Sequence, residues 1–386
     1  MNFDLSEDQK MLVETVSSFV KKASPPARLR KLREDPIGWQ KSVWKQMGEF
    51  GWLGVLFPEA LGGFGGSFVD AALILEELGV GLAPEPYAPS LVAGTAILRA
   101  GSTAQHERWL MPMVAGETSL ALAYAEAQAR FSPFDVATRA ERSGNTWKLS
   151  GEKRFVLNGH AADQLVVSAR TRGDQRAADG ISLFVVDAQT PGVELRSVKT
   201  MDGHHAALVR FNDVALDGDR LLGSEGEGGA ALDEALDVGA AAACAEGAGI
   251  VRTVLWMTCD YLRTREQFGV KIGNFQALQH RAVDMFVETE LSKSMSILAS
   301  IKVSDGSPAE ERRQAVSAAK VQLAVGGRYV TQQATQLHGG IGVTDEHDVG
   351  LYFKRMHILN TLYGDEEHHV ARFAAQPAFA ANLSER

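Results

Sequence analysis

The chain reads as an α+β protein in three parts: an N-terminal helical domain over residues 1–116, a central antiparallel β-barrel-like domain over 117–229, and a C-terminal four-helix bundle over 230–386. Three observations predict this. Apolar residues recur at a helical period in the first and last parts but at a period near two in the middle. The middle strands follow one another with no long helix between them, which favours a barrel or sandwich over βαβ units. No G-x-G-x-x-G sequence follows any strand, so a Rossmann nucleotide site is not expected.

Composition sets the outer bounds. At 386 residues the chain exceeds one ordinary core. Hydrophobic residues at 45% and charged residues at 23% are the balance of a soluble globular protein. A net charge of −9 disfavours a general nucleic-acid or membrane surface, although a few local arginines can still hold an anion. Met1–Lys10 is charged, unlike a secretory signal. No run of eighteen apolar residues occurs, so no membrane span is expected; Gly239–Ile250 comes nearest, but it is short and carries Glu246. Cys244 and Cys259 fall in one expected helix, about 22 Å apart, too far to pair. A reduced, cytoplasmic setting follows.

Along the chain, Ser6 and Gln9 form a capping-box pattern that opens the first helix, whose apolar face is Met11, Leu12, Val16, Phe19 and Val20. Val43-Trp44 with Met47, then Ala71–Leu78, continue the helical pattern. Ser24-Pro-Pro26 and Leu61-Gly-Gly-Phe-Gly-Gly66 break it. The glycine-rich turn lacks the Gly-Lys-Ser/Thr ending of a Walker loop. In the middle part, Trp147-Lys-Leu-Ser alternates after the turn Ser143-Gly-Asn145. Gln164–Ser168 reads as a buried strand, and Ile181–Val186, Val193–Arg196 and Leu208–Phe211 continue the series. The expected bundle helices are Ala230–Arg265, Phe275 to about Ser304, one opened by a Ser307 cap and running to His338, and Asp348–Tyr363.

Two segments carry chemistry. In Tyr261-Leu-Arg-Thr-Arg-Glu-Gln-Phe-Gly269, residues Tyr261, Arg265 and Phe268 share a face if the helix continues, and Gly269 is placed to end it. A guanidinium fork suits phosphate oxygens, and the Gly339-Gly340 pair in Gln336-Leu-His-Gly-Gly340 can bring backbone N–H groups close to an anion. Together they read as half of a site for a phosphate-bearing cofactor.

Tyr261–Gly273, followed by Phe275-Gln276, and Gln336–Thr344 resemble the two signatures of the acyl-CoA dehydrogenase family, and the likeness runs along nearly the whole chain. The resemblance implies FAD between the β domain and the bundle, an acyl-CoA thioester substrate, and an oligomer in which a neighbouring subunit completes each FAD site. It implies an electron-transferring flavoprotein as acceptor, and fatty acid metabolism as setting. Arg265, Phe268, Gln276, Gln336, Gly339 and Gly340 match the residues that hold the neighbour's FAD. On the other side of the flavin, Ala125 stands where the family has Thr in Thr-Glu-Pro, and Leu157 where it has Thr in Trp-Ile-Thr-Asn-Gly. Each lost hydroxyl deletes a bond of about 0.5–1.5 kcal/mol.

The family reaction needs a carboxylate base, usually Glu in Tyr-Glu-Gly-Thr. Here Thr361-Leu-Tyr-Gly-Asp365 aligns, so Tyr363 stands at the base position; with a reference pKa of about 10 it is a weak base. Relatives that carry the base on the first bundle helix would place it at Gly239. Glu246 and Asp365 are the candidate displaced bases, with Glu366 behind them as the start of a solvated helix; a helix-packing or subunit-contact role is the other reading of Glu246. Metal binding by Asp365, His368 and His369 is not expected, because adjacent histidines project apart. The Leu-Tyr-Gly-Asp-x-x-His-His ending is similar to small subunits of pimeloyl-CoA-type dehydrogenases. The expected role is therefore a subunit that completes a partner's FAD site, in a heterotetramer with a second acyl-CoA dehydrogenase chain. The alternatives are an active homo-oligomer with a displaced base, and a flavin oxidase or monooxygenase on the same fold.

Overall fold

The computed structural model describes residues 4–377. They form two compact units, each drawn from separate stretches of chain. One unit holds the chain up to Lys31, Phe68–Ala83 and everything from Ala240 onward; the other holds Leu32–Ser67 and Pro84–Gly239. The N-terminal helices are shared between them. Helix α1 (Glu7–Ala23), nearly all of α2 (Pro26–Leu32) and α4 (Phe68–Val80) lie in the first, while α3 (Lys41–Glu49), α5 (Tyr87–Ala100) and α6 (Thr103–Val114) lie in the second. The capping box forms: the Ser6 hydroxyl accepts from the Gln9 N–H, and the Gln9 side chain accepts from the Ser6 N–H.

The second unit is built on an eight-stranded sheet. Its strands are β1 (Leu120–Ala123), β2 (Arg139–Ser143), β3 (Thr146–Leu157), β4 (Gln164–Arg170), β5 (Ile181–Asp187), β6 (Val193–Lys199), β7 (His205–Asp217) and β8 (Leu221–Leu222). Their order is β6-β7-β3-β2-β4-β5-β8, with β1 beside β4. Most neighbours are antiparallel, but β1 pairs with β4 in parallel and β2 touches β4 in parallel at Arg139–Arg170, so the sheet is mixed. The β2–β3 hairpin is the crossover that lets β1 and β4 run the same way. Ser143 pairs with Thr146 across Gly144 (φ 62°), the two-residue turn expected from the sequence. Strand β4 is almost wholly buried between β1 and β5, which is why Leu165-Val-Val reads as an apolar run rather than an alternation.

The first unit contains α7 (Gly229–Thr264, from Ala240 on), a short hairpin β9 (Glu266–Gln267) and β10 (Val270–Lys271), α8 (Gln276–Ser304), α9 (Ala309–Gln322), α10 (Arg328–His338), α11 (Val349–Leu359) and α12 (Glu366–Ala374). Three expectations are corrected here. The third bundle helix is interrupted by a π turn at Leu323–Gly327, where added Cβ atoms at Gly326 and Gly327 would meet Glu288 and Met356. Ser307 is not its cap: Pro308 occupies that position, and the Ser307 hydroxyl accepts from Lys302. The fourth helix stops at Leu359 because Tyr363 (φ 58°) and Gly364 (φ 121°) leave helical space, and α12 starts afresh behind Asp365.

Helix α7 is long and apolar enough by length and composition to cross a membrane, yet its most apolar window is 89% buried within the protein. Its small residues serve a close helix crossing instead. A Cβ at Gly249 would strike the Glu76 carbonyl, and one at Gly79 the Glu246 carbonyl. Arg252 then reaches across to Glu76 at 2.6 Å and Glu77 at 2.5 Å.

Candidate functional site

At one end of the bundle the two signature segments meet. The Tyr261 ring lies 4.5 Å from that of His338, which lies 4.5 Å from that of His347. The His338 Nδ1–H donates to the Ala334 carbonyl at 2.7 Å, and burial holds its pKa below the usual histidine range, so the ring is a neutral packing piece. This stack packs the last turn of α7, which leads into Arg265, against the end of α10, which leads into Gly339. Arg281 of α8 approaches Gln333 of α10 at 3.4 Å.

The local backbone differs from the expected one. Helix α7 ends at Thr264, so Arg265 is the first residue beyond it, and Phe268 does not share a helical face with Tyr261. Phe268 (φ 55°) and Gly269 (φ 78°) are instead the two central residues of the β9–β10 hairpin, where positive φ at both sites gives a turn matched to strand twist. Gly269 thus makes this turn rather than ending the helix. The turn holds the Phe268 ring 91% exposed, edge-on to Phe275 at 6.1 Å. Arg265, Gln276, Gln336, Gly339 and Gly340 are also exposed. The Arg265 guanidinium has no hydrogen bond or ion pair among the described residues. Gly339 sits at φ 65°, ψ −141°, where an L side chain is strained, and nothing lies within 4 Å of the Cβ position of either glycine. The corner is an open, donor-rich surface with an aromatic side chain standing out from it.

In the other unit, Ala125 and Leu157 lie on adjoining segments, because the Arg154 N–H donates to the Ala125 carbonyl at 2.8 Å. A buried ion pair locks these segments. The Lys153 ammonium, fully buried, donates to Glu126 at 2.7 Å, the Ser168 hydroxyl at 3.0 Å and the Tyr124 carbonyl at 3.3 Å. Glu126 also accepts from the N–H groups of Ala137 and Thr138 and from Gln128. Burial raises the Glu126 pKa, but the Lys153 charge and these bonds outweigh it and hold the carboxyl below its ordinary value. Burial brings Lys153 down to about 8, so the pair is charged at neutral pH. Beyond it, β3 bulges between Lys153 and Val156, with Phe155 at φ 53°. Leu157 pairs with Ala206 in the ladder and carries no hydroxyl.

The candidate bases are each engaged elsewhere. Glu246 is 8% exposed and accepts from both Arg355 Nε, at 2.6 Å, and a terminal nitrogen, at 2.8 Å. Asp365 caps α12, its Oδ1 accepting from the His368 N–H at 2.9 Å. Glu366 pairs with Arg328 at 3.1 Å. Tyr363 lies in the turn after α11, its carbonyl 3.2 Å from His369 Nε2. Gly239 is a buried position on α7. The His368 and His369 rings stand 84° apart, and among the described residues no group of three or more His, Cys, Asp or Glu could hold a metal ion.

Known proteins share this architecture throughout. The acyl-CoA dehydrogenase N-terminal, middle and C-terminal domain profiles match residues 6–117, 121–214 and 226–376. The acyl-CoA dehydrogenase IpdE2 of Mycolicibacterium smegmatis is 30% identical over 373 residues, 96% of this chain and 99% of that protein. The chain belongs to the acyl-CoA dehydrogenase family. Two solved chains extend the likeness. One comes from work on the electron-transferring flavoprotein of Acidaminococcus fermentans: TM-score 0.90, 30% identity, covering 97% of this chain and 98% of that one. The other is the Tcur3481-Tcur3483 steroid ACAD: TM-score 0.86, 30% identity, covering 98% and 99%.

The two groups of residues that the sequence marks for cofactor binding, one in each unit, differ in what they offer. The bundle corner fits an FAD phosphate group, with a clear glycine cradle and an unengaged guanidinium. On the strand side, Ala125 and Leu157 offer methyl and isobutyl groups and no hydroxyl. The Lys153–Glu126 lock escaped the sequence reading. Lys153 stands in the charged run Glu152-Lys-Arg154, whose composition gives no sign of burial, and its partner lies 27 residues away.

Proposed function

We propose that this chain is an FAD-dependent subunit of an acyl-CoA dehydrogenase, acting in an assembly that dehydrogenates an acyl-CoA thioester between Cα and Cβ, and that it completes a partner's FAD site. The observation that carries this is the contrast between the open corner at Arg265, Phe268 and Gly339-Gly340 and the turn at Tyr363, where no free carboxylate stands. Bound FAD supplies the hydride acceptor for the β-carbon. In this reading the chain's own residues grip the phosphates and adenine of the neighbour's cofactor through Arg265, Gln276, Gln336 and the glycine pair, while the partner contributes the base.

A homo-oligomeric enzyme with a displaced base would draw on Glu246 or Asp365, and both are already bonded. The name of the steroid ACAD joins two components, which supports a two-chain assembly here. The flavoprotein context of the other solved chain supports an electron-transferring flavoprotein as acceptor. Cys244, buried, and Cys259 sit too far apart on α7 to bond, in keeping with a cytoplasmic protein.

FAD per polypeptide in the chain purified alone, read from its visible spectrum, tests the reading. Little FAD is expected, rising when the partner is added; near one FAD per chain would overturn it. In the assembly, Arg265→Ala should lower FAD content more than Tyr363→Phe, and equal losses would sink the role of the corner.

A further inference from the structure

The turn at the family's base position is held from beneath by buried polar side chains. Helix α11 ends at Leu359, whose carbonyl accepts from the Lys320 ammonium of α9 at 2.6 Å. Four residues later the Tyr363 carbonyl faces His369 of α12 at 3.2 Å, and the opposite ring nitrogen lies 3.2 Å from the Ser317 hydroxyl of α9. A carbonyl can only accept, so Nε2 carries the proton and Nδ1 accepts from Ser317. His369 is 1% exposed. Its ring lies directly under Gly364, where an added Cβ would come within 2.6 Å of Nε2. Between these ties Tyr363 keeps φ 58°, a left-handed conformation that L residues rarely adopt.

We infer that His369 is a positioning residue: backed by Ser317, it holds the Tyr363 carbonyl and so fixes residue 363, and the side chain it presents, in a left-handed turn. The assignment of position 363 to the acyl site rests on the proposed function, but the mechanical role of His369 does not. Left-handed backbone persists only where its surroundings over-determine it, and here two helices supply the determinants. The neutral ring does this without introducing a charge beside Lys320, and Lys320 secures the near end of the same turn. The chain therefore keeps a rigid turn at a position that has no carboxylate, which makes the turn a shaped wall rather than a proton acceptor.

The test is amide hydrogen exchange of peptides spanning 360–366 in the full chain. His369→Leu removes the donor and should speed exchange in the turn by about tenfold, with α9 peptides unchanged. His369→Gln can place an N–H near the position of Nε2 and should restore slow exchange. Ser317→Ala, a milder change that leaves the ring in place, should give an intermediate rate even if the leucine variant folds poorly. Equal turn exchange in wild type and Ser317→Ala, or equal acceleration in the Gln and Leu variants, would overturn the assignment. FAD stoichiometry tests the proposed function separately, so a failure of one does not mask a failure of the other.

Discussion

Glu246→Gln separates a structural carboxylate from a catalytic one. In the folded chain its two oxygens take hydrogen bonds of 2.6 and 2.8 Å from Arg355, and the side chains of the pair are only 11% and 12% exposed. Breaking a buried pair by removing one partner costs about 3–5 kcal/mol, because the remaining charge stays buried. Gln keeps one acceptor for the guanidinium, which brings the expected loss to about 2–3 kcal/mol. For a cooperative unit of 150–250 residues, each kcal/mol moves Tm by about 2–4 °C, so a drop of roughly 4–12 °C is expected. Scanning calorimetry reads the drop, and steady-state turnover of the assembled enzyme at 20 °C should stay near wild type. Replacing both partners with apolar residues, Glu246→Leu with Arg355→Met, should recover most of the loss, since no charge is left alone. Abolished turnover at unchanged Tm would refute the reasoning and make Glu246 the base.

Two further outcomes follow from the buried groups. Burial, then the charges of Lys320, His368 and Arg372, push the His369 pKa down to about 2 from an unfolded value near 6.5. The unfolded chain therefore binds the extra proton first. The contribution is fully present above pH 6.5 and is lost as pH falls, by about 2 kcal/mol at pH 5; urea unfolding at pH 7 and pH 5 should show this slope in wild type and not in His369→Leu, and equal slopes would refute it. Lys153→Met should cost about 3–5 kcal/mol by stranding the Glu126 carboxylate, and pairing it with Glu126→Gln should recover part of that cost. Denaturant midpoints of the two variants check this, and a larger loss in the double variant would contradict it.

The legible parts of the fold were those governed by near neighbours in the chain. The Ser6–Gln9 box, the Gly144-Asn145 hairpin and most strand positions depend on residues within a few places of one another, and they stand where the sequence puts them. Periodicity misled where backbone conformation changed without breaking the pattern. Phe268 continues the spacing of Tyr261 and Arg265, but a hairpin turn takes it out of the helix. Tyr363 and Gly364 end α11 early in the same way, and Gly326-Gly327 give a π turn inside what reads as one helix.

The sequence by itself determined the family, through two signatures whose residue types suit phosphate, and it determined what is absent, a carboxylate at position 363 and hydroxyls at 125 and 157. Only the tertiary structure decided what the remaining charged groups do. Glu246 meets Arg355 109 residues away, Arg252 meets Glu76 and Glu77 more than 170 residues away, and His369 meets Ser317 across 52. A buried charge must find a partner, but the chemistry of the residue does not say which one. That choice is made by how the helices cross, and no local pattern records it.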